Sequence, residues 1–249
     1  MGAIDCHVHI GKNMFLRLNV GAEELLDLAD RTGIEKLFCT DLTALFYDMH
    51  EGNRLLAAEL KRHPDRLIGY ATISSPYFGE EAIDELKRCF FDYGMRGIKV
   101  YSVAPVRLNP WVMEGILAFS AEHKLPMLAH ITPTECESLA KANPEAIIVM
   151  AHMGGFPDAG GDWRMAIEVA QRHKNVWLDT TSSTYDSGMM EMAVRRLGAG
   201  RILFGTDMPL LDPFAGVQKI RSAFLTEEEK TLILGGNLER LLAQQQVAQ

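Results

Sequence analysis

Short apolar runs recur along the chain at intervals of about 30 residues, each followed by a longer stretch whose apolar positions return every three or four residues. The runs are Ala3–His9, Ile34–Thr40, Leu67–Ile73, Gly97–Tyr101, Pro126–Ile131, Ala146–Ala151, Val176–Asp179 and Ile202–Gly205. Glu23–Arg31, Asn53–His63, Glu80–Phe91, Pro110–His123, Trp163–His173 and Met189–Leu197 read as helices between them. Parallel strands need crossovers long enough to hold a helix, so the alternation predicts a parallel sheet with helices outside it. Eight such units use nearly all of the 249 residues and predict an α/β fold, a single distorted (β/α)8 TIM barrel spanning 1–249 as one domain. The competing open doubly wound sheet predicts a Gly-rich phosphate turn, yet no G-x-G-x-x-G or G-x-x-x-x-G-K-[ST] occurs. Thr226 followed by Glu229 has capping-box spacing and opens an extra C-terminal helix running into Leu232, Ile233 and Leu234.

Composition removes several classes of partner. With 25 basic and 33 acidic residues the net charge is −8, and no basic stripe is present to meet a nucleic-acid backbone. No apolar run approaches about 18 residues, and the first residues lack a basic segment and an apolar core, so a soluble, cytoplasmic chain with no membrane partner is expected. Cys6, Cys39, Cys89 and Cys136 are scattered without a C-x-x-C pair, which predicts reduced thiols.

A barrel enzyme carries its chemistry where its strands end. The first run ends in Asp5-Cys6-His7-Val8-His9, and period-two alternation puts Asp5, His7 and His9 on one face and Cys6 and Val8 on the other. Lys99 and Tyr101 share a face of the fourth run, and Lys99 points inward if Ile98 and Val100 meet the helices. His130, His152 and Asp207 follow the fifth, sixth and eighth runs. Each has an ordinary explanation when taken singly. Eight histidines produce a chance H-x-H roughly a quarter of the time, a solitary strand-end His is usually a hydrogen-bonded structural group, and a solitary Asp is usually a helix cap. His63, His123 and His173 fall in the last turns of predicted helices and His50 just before one, where the macrodipole and solvent account for them. Every other histidine, with Lys99 and Asp207, ends a strand of the same barrel.

Imidazole nitrogens with one carboxylate oxygen suit a divalent metal, Zn²⁺ first, with Mn²⁺, Fe²⁺, Co²⁺ and Ni²⁺ as alternatives, as one or two ions. An open coordination position would activate water, and Asp207 touching both metal and water could carry the proton. No G-x-S-x-G motif offers a rival nucleophile. For Lys99 three roles remain open: a carbamate bridging two metals, an amine that binds an anion or moves a proton, and a structural partner of an interior carboxylate such as Asp5.

Asp5-x-His7-x-His9, Gly97-Ile98-Lys99, His130, Ala151-His152-Met153-Gly154-Gly155, Gly205-Thr206-Asp207-Met208-Pro209, His63-Pro64-Asp65-Arg66-Leu67-Ile68-Gly69 and Ile233 to Leu242 together resemble the amidohydrolase superfamily. The similarity is to its amidohydrolase-related (type 2) branch, which holds metal-dependent hydrolases and aminocarboxymuconate-semialdehyde-decarboxylase-like enzymes. The resemblance implies that His7, His9, His130 and Asp207 bind metal. It implies that His152 binds a second metal or serves as an acid and base, and that Lys99 matches the lysine that bridges two metals in binuclear members. The small N-terminal β-sandwich of many relatives is expected to be missing. The implied activity is metal-dependent hydrolysis of a small amide, ester or lactone by a metal-activated water. The alternative is nonoxidative decarboxylation of a small unsaturated acid, with Lys12, Arg17, Arg107 or Arg164 available to hold a carboxylate. An inactive binding protein would be expected to lose ligands, and all are present. The expected partner is a small-molecule substrate; a homodimer is compatible with the resemblance, although no apolar helix face marks an interface.

Overall fold

The computed structural model describes residues 2–74, 78–101, 107–154, 162–181 and 187–245. Gly155, the last residue of the motif around His152, lies outside them. Among the described residues the strands are β1 (Ala3–Asn13), β2 (Leu18–Val20), β3 (Ile34–Asp41), β4 (Leu67–Ser74), β5 (Gly97–Tyr101), β6 (Pro126–Ala129), β7 (Ile147–Met150), β8 (Val176–Asp179) and β9 (Ile202–Leu203). β1 and β3 to β9 follow one another in a single parallel sheet in chain order. The last strand is short, yet the chain after it closes the sheet. The Cys6 N–H donates to the Phe204 carbonyl (2.8 Å), the Asp207 N–H to the His7 carbonyl (2.8 Å) and the His9 N–H to the Met208 carbonyl (2.9 Å). These bonds remove the sheet edge and make a barrel.

The crossover helices are α1 (Ala22–Thr32), α2 (Leu42–Phe46), α3 (Met49–Arg62), α4 (Glu80–Lys87), α5 (Pro110–His123), α6 (Pro133–Ala142), α7 (Trp163–Arg172), α8 (Met189–Leu197) and α9 (Pro213–Arg221), followed by α10 (Glu227–Thr231) and α11 (Asn237–Ala243). Their starts are chemically marked. The side chains of Asp41, Asp48, Asn109, Thr132, Asp162 and Asp212 accept N–H bonds from the first turns of α2, α3, α5, α6, α7 and α9. Each such cap contributes about 1 kcal/mol. Thr226 and Glu229 form the expected reciprocal box at α10, which continues through a π-helical turn into α11.

Two apolar cores follow from the two faces of the strands. Between sheet and helices lie residues such as Val8, Leu25, Leu56, Ile73, Ile98 and Ile167. Inside the barrel Ile4, Cys6, Phe38, Tyr70, Leu128, Val149, Trp177 and Leu203 pack together, joined by Leu238 and Leu241 of α11. The C-terminal helix therefore contributes to the interior core of the barrel.

The structure departs from strict alternation in β1. Asp5 pairs with Leu37 and Val8 with Cys39, so three residues of β1 span two of β3. This bulge turns Cys6 into the interior core while His7 and His9 still reach the barrel mouth. Tyr70 donates its hydroxyl to the Cys6 carbonyl (2.8 Å), giving a buried acceptor at the bulge its hydrogen bond. β1 also runs past the barrel and turns back antiparallel into β2. Asn13 opens the turn by accepting the Leu16 N–H on its side-chain oxygen (2.9 Å), but the apolar Met14, Phe15 and Leu16 that follow hide the turn in the pattern of the sequence.

Candidate metal centre

The bulge and the barrel closure place His7 and His9 beside Asp207. Asp207 sits in the left-handed region at φ 66°, where Asp is better tolerated than most side chains. Its segment is tied to β1 from below: Asp5 accepts from the Thr206 N–H (3.0 Å), the Thr206 hydroxyl and the His7 N–H (3.0 Å). Asp5 is thus a fastening between the two ends of the barrel and does not pair with Lys99.

His7 Nε2, His9 Nε2 and Asp207 Oδ1 converge. The Asp207 oxygen lies 2.9 Å from His9 Nε2 and 3.6 Å from His7 Nε2, and one ligand atom from each residue lies within 4.8 Å of the others. All three residues are buried. The far sides of the rings assign their protons. His7 Nδ1 is 2.8 Å from Asp179 Oδ2, and a carboxylate accepts. His9 Nδ1 is 2.7 Å from Thr40 Oγ1, whose hydroxyl donates to the Val8 carbonyl (3.3 Å) and so accepts from the ring. Two imidazole lone pairs and a carboxylate oxygen then face one another. Asp207 Oδ1 is buried and receives no hydrogen bond of good geometry. A cation among these donors satisfies all of them, so the residues fit a divalent metal in donor type and spacing.

Electrostatics points the same way. Burial, reinforced by the Lys99 cation, holds His7 well below its ordinary pKa. Burial alone would raise Asp207, but the close approach of the His9 ring (2.9 Å), with His7 and His152 beside it, holds its carboxyl far below the ordinary carboxylate range. Burial pushes Lys99 down to about 8 and Asp179 up to about 6. His152 falls to about 4 through burial and His7, and His130 to about 3 through burial and His152.

The histidine rings form a row. Centroids are 5.1 Å apart from His9 to His7, 5.0 Å from His7 to His152, and 4.9 Å from His152 to His130. His130 and His152 share the pocket but stand outside the triad. Lys99 is buried with Nζ 2.9 Å from His7 Nε2. The pocket has a volume of about 230 Å³, and His7, His9, Lys99, His130, His152 and Asp207 supply its polar lining. Leu16, Leu42, Leu45, Phe46, Tyr101 and Leu210 complete the lining, with the Tyr101 ring edge-on to His130 at 5.5 Å. Among the described lining residues Lys99 is the one lysine or arginine. Lys12, Arg17, Arg107 and Arg164 do not line it; Arg164 lies over the ring of Trp163, 4.2 Å from its centroid.

Sequence reasoning passed over Asp179, Thr40 and Thr206. Asp179 ends its strand as the selected residues do, and a solitary strand-end Asp reads as a cap. The helix-associated histidines lie in the helical shell, partly buried and not simply at the surface. His63 and His173 follow α3 and α7, His123 packs with Phe90 and Phe119, and His50 lies in the first turn of α3 between Glu81 and Glu85.

A closed parallel barrel with a His-His-Asp triad at the ends of its first and last strands defines a metal-centred α/β barrel. The chain belongs to the amidohydrolase family, in its type 2 branch: the family model matches residues 4–243. A curated relative, the gamma-resorcylate decarboxylase of Rhizobium radiobacter, is 24% identical over 76% of this chain and 74% of its own. Among solved structures, a 2,6-dihydroxybenzoate decarboxylase complexed with 2,6-dihydroxybenzoate superposes with a TM-score of 0.78 at 19% identity, covering 98% of this chain and 99% of that one. A dihydroxybenzoic acid decarboxylase from Polaromonas, solved with bound manganese and the inhibitor 2-nitroresorcinol, gives 0.75 at 19% identity, with 97% of each chain covered. These relatives correct the expectation of hydrolysis. They are decarboxylases, and the alternative drawn from the sequence is the better supported. The strand-end residues are shared by both chemistries, which is why they led to the wrong member of the pair. No described helix is long and apolar enough to cross a membrane.

Proposed function

We propose that this chain is a metal-dependent nonoxidative decarboxylase of a small, planar, hydroxylated aromatic acid. The observation that carries the reading is the mixed lining of the pocket, where the cation-binding triad and Lys99 share one cavity with Leu16, Leu42, Leu45, Phe46 and Leu210. A ring carrying a carboxylate and a neighbouring hydroxyl matches a lining of both kinds, and the volume of about 230 Å³ suits one ring better than two. The decarboxylase relatives support the same substrate class.

His7, His9 and Asp207 would hold the ion, with His130 a further donor from the other end of the histidine row. Zn²⁺ or Mn²⁺ is the ion we place there, since nitrogen and oxygen donors accept either. When bound it supplies Lewis acidity toward substrate oxygens. Lys99 would pair with the anionic group of the substrate, and the leucines that line the cavity would hold the ring and exclude water. Asp207 or His152 would take a proton from solvent and deliver it to the ring carbon that bears the carboxylate. The carbon–carbon bond then breaks, its electrons restore the ring, and CO₂ leaves. The four cysteines are free and buried, which suits a reducing cytoplasm.

The test is to incubate the metal-loaded protein with a panel of hydroxybenzoic acids and, separately, with amides, esters and lactones. Release of CO₂ from the first set without acid release from the second is expected. Acid release alone would refute the proposal. Elemental analysis should find at least about half an equivalent of divalent ion, and His152→Gln should lower kcat by about two orders of magnitude, the usual size of an acid-base contribution.

A further inference from the structure

We propose that Asp179 is a positioning residue that sets the proton position of the His7 ring directly and holds the backbone of His152 and of Thr181, whose carbonyl sets that of the His152 ring. Its consequence for metal binding rests on the reading that the triad holds a divalent cation. Asp179 ends β8 and is fully buried. Its Oδ2 lies 2.8 Å from His7 Nδ1, while its Oδ1 accepts the backbone N–H of His152 (2.7 Å) and of Thr181 (3.1 Å). The Thr181 carbonyl in turn lies 3.2 Å from His152 Nδ1, and a carbonyl only accepts. Both rings therefore carry their proton on Nδ1 and keep Nε2 as the acceptor nitrogen. Lys99 Nζ, a donor 2.9 Å from His7 Nε2, makes the same assignment from the opposite side.

The same carboxylate holds a backbone that would otherwise relax. His152 and Met153 have φ of 57° and 50°, conformations that L side chains seldom adopt and that persist only where surroundings enforce them. The bond from the His152 N–H to Asp179 is part of that enforcement. The neighbouring chain is equally close: a Cβ on Gly205 would fall 2.3 Å from Thr181 Oγ1 and 3.0 Å from the His7 Cβ.

Asp179→Asn separates positioning from packing, because it keeps shape and changes only donors. The two backbone N–H groups can only donate, so the amide oxygen must stay with them. The amide nitrogen then faces His7 Nδ1, which must accept, and the ring proton moves to Nε2, the atom turned toward Asp207. A wrong tautomer removes a metal ligand without removing a residue.

The experiment uses the full chain, labelled with ¹⁵N-histidine and freed of metal by chelator, to read the His7 tautomer from ¹⁵N–¹H correlations, and chelator competition to measure Mn²⁺ affinity. The wild type should show Nδ1–H at His7 and the D179N variant Nε2–H, with Mn²⁺ affinity at least tenfold weaker, about the usual loss for an outer partner of a ligand. Thermal melting and far-UV spectra should be close to wild type. An Nε2–H tautomer in the wild type, or a folded D179N protein with wild-type Mn²⁺ affinity, would overturn the proposal. If D179N does not fold, the wild-type spectrum alone decides. If the wild type binds no Mn²⁺, the metal reading falls, while the tautomers of the two proteins still decide what Asp179 does.

Discussion

Four histidines at the barrel mouth and four in the helical shell are the same side chain under opposite conditions. His7, His9, His130 and His152 stand in a row within one pocket, and burial drives the imidazoles of His7, His130 and His152 toward the neutral form. In the shell, His50 lies between Glu81 and Glu85, whose hydrogen bonds raise its pKa against some burial. His63 and His173 face Glu23 and Glu137, and His123 fills an aromatic cluster. A neutral imidazole held by an acceptor at Nδ1 is a metal donor. An imidazole hydrogen-bonded to two carboxylates, as in His50, is shifted toward the cation. The difference shows that environment, not residue type, separates a ligand from a surface group.

The comparison can be broken most sharply at the mouth. His9→Ala or Asp207→Asn should lower divalent-ion affinity by at least about two orders of magnitude and abolish turnover, with the far-UV spectrum retained. Chelation should lower the Tm of the wild type and leave that of the His9→Ala protein unmoved, since an ion that binds only the folded state stabilises it. Equal shifts in the two would place the ion elsewhere. In the shell, His123→Ala should cost about 1 kcal/mol through lost ring packing against Phe90 and Phe119, with kcat and KM unchanged. A change in either constant would mean that the two regions are coupled.

Titration sharpens the same contrast. At pH 6, ¹⁵N spectra of the metal-free protein should show His50 mostly protonated and His130 and His152 neutral, consistent with their values of about 3 and about 4. The smallest effect is at His50 itself. Its pKa is raised on folding, so its contribution is fully present below about pH 6.5 and is lost as pH rises through the folded value. His50→Ala should therefore destabilise by no more than about 1 kcal/mol, discounted for exposure, and only on the acid side of that window. Denaturant melts at pH 5.5 and 8.5 would detect it, and an equal loss at both would reject the ion-pair explanation.

Much of this arrangement is legible before folding. Apolar runs at period two and helical stretches at period 3.6 report local geometry, so eight strands, most helices and the residues that end the strands follow from the chain alone. Gly97–Tyr101, Pro110–His123, Val176–Asp179 and Met189–Leu197 match the observed bounds residue for residue. The bulge in β1 is not legible. An extra residue is defined only against a partner strand, so Cys6 and His7 could not be assigned to their sites from alternation alone. Asp179 was hidden for a related reason. Its meaning lies in His7 and His152, 172 and 27 residues away along the chain.

The sequence by itself determined the barrel, the set of ligand-type residues at its strand ends and membership in a family whose members share them. Tertiary structure decided which of those residues converge, which ring nitrogen carries each proton, and that Lys99 meets His7 rather than Asp5. Periodicity is a property of neighbouring residues and survives in the sequence. Convergence depends on strand register and barrel closure, which bring together atoms that no local pattern relates.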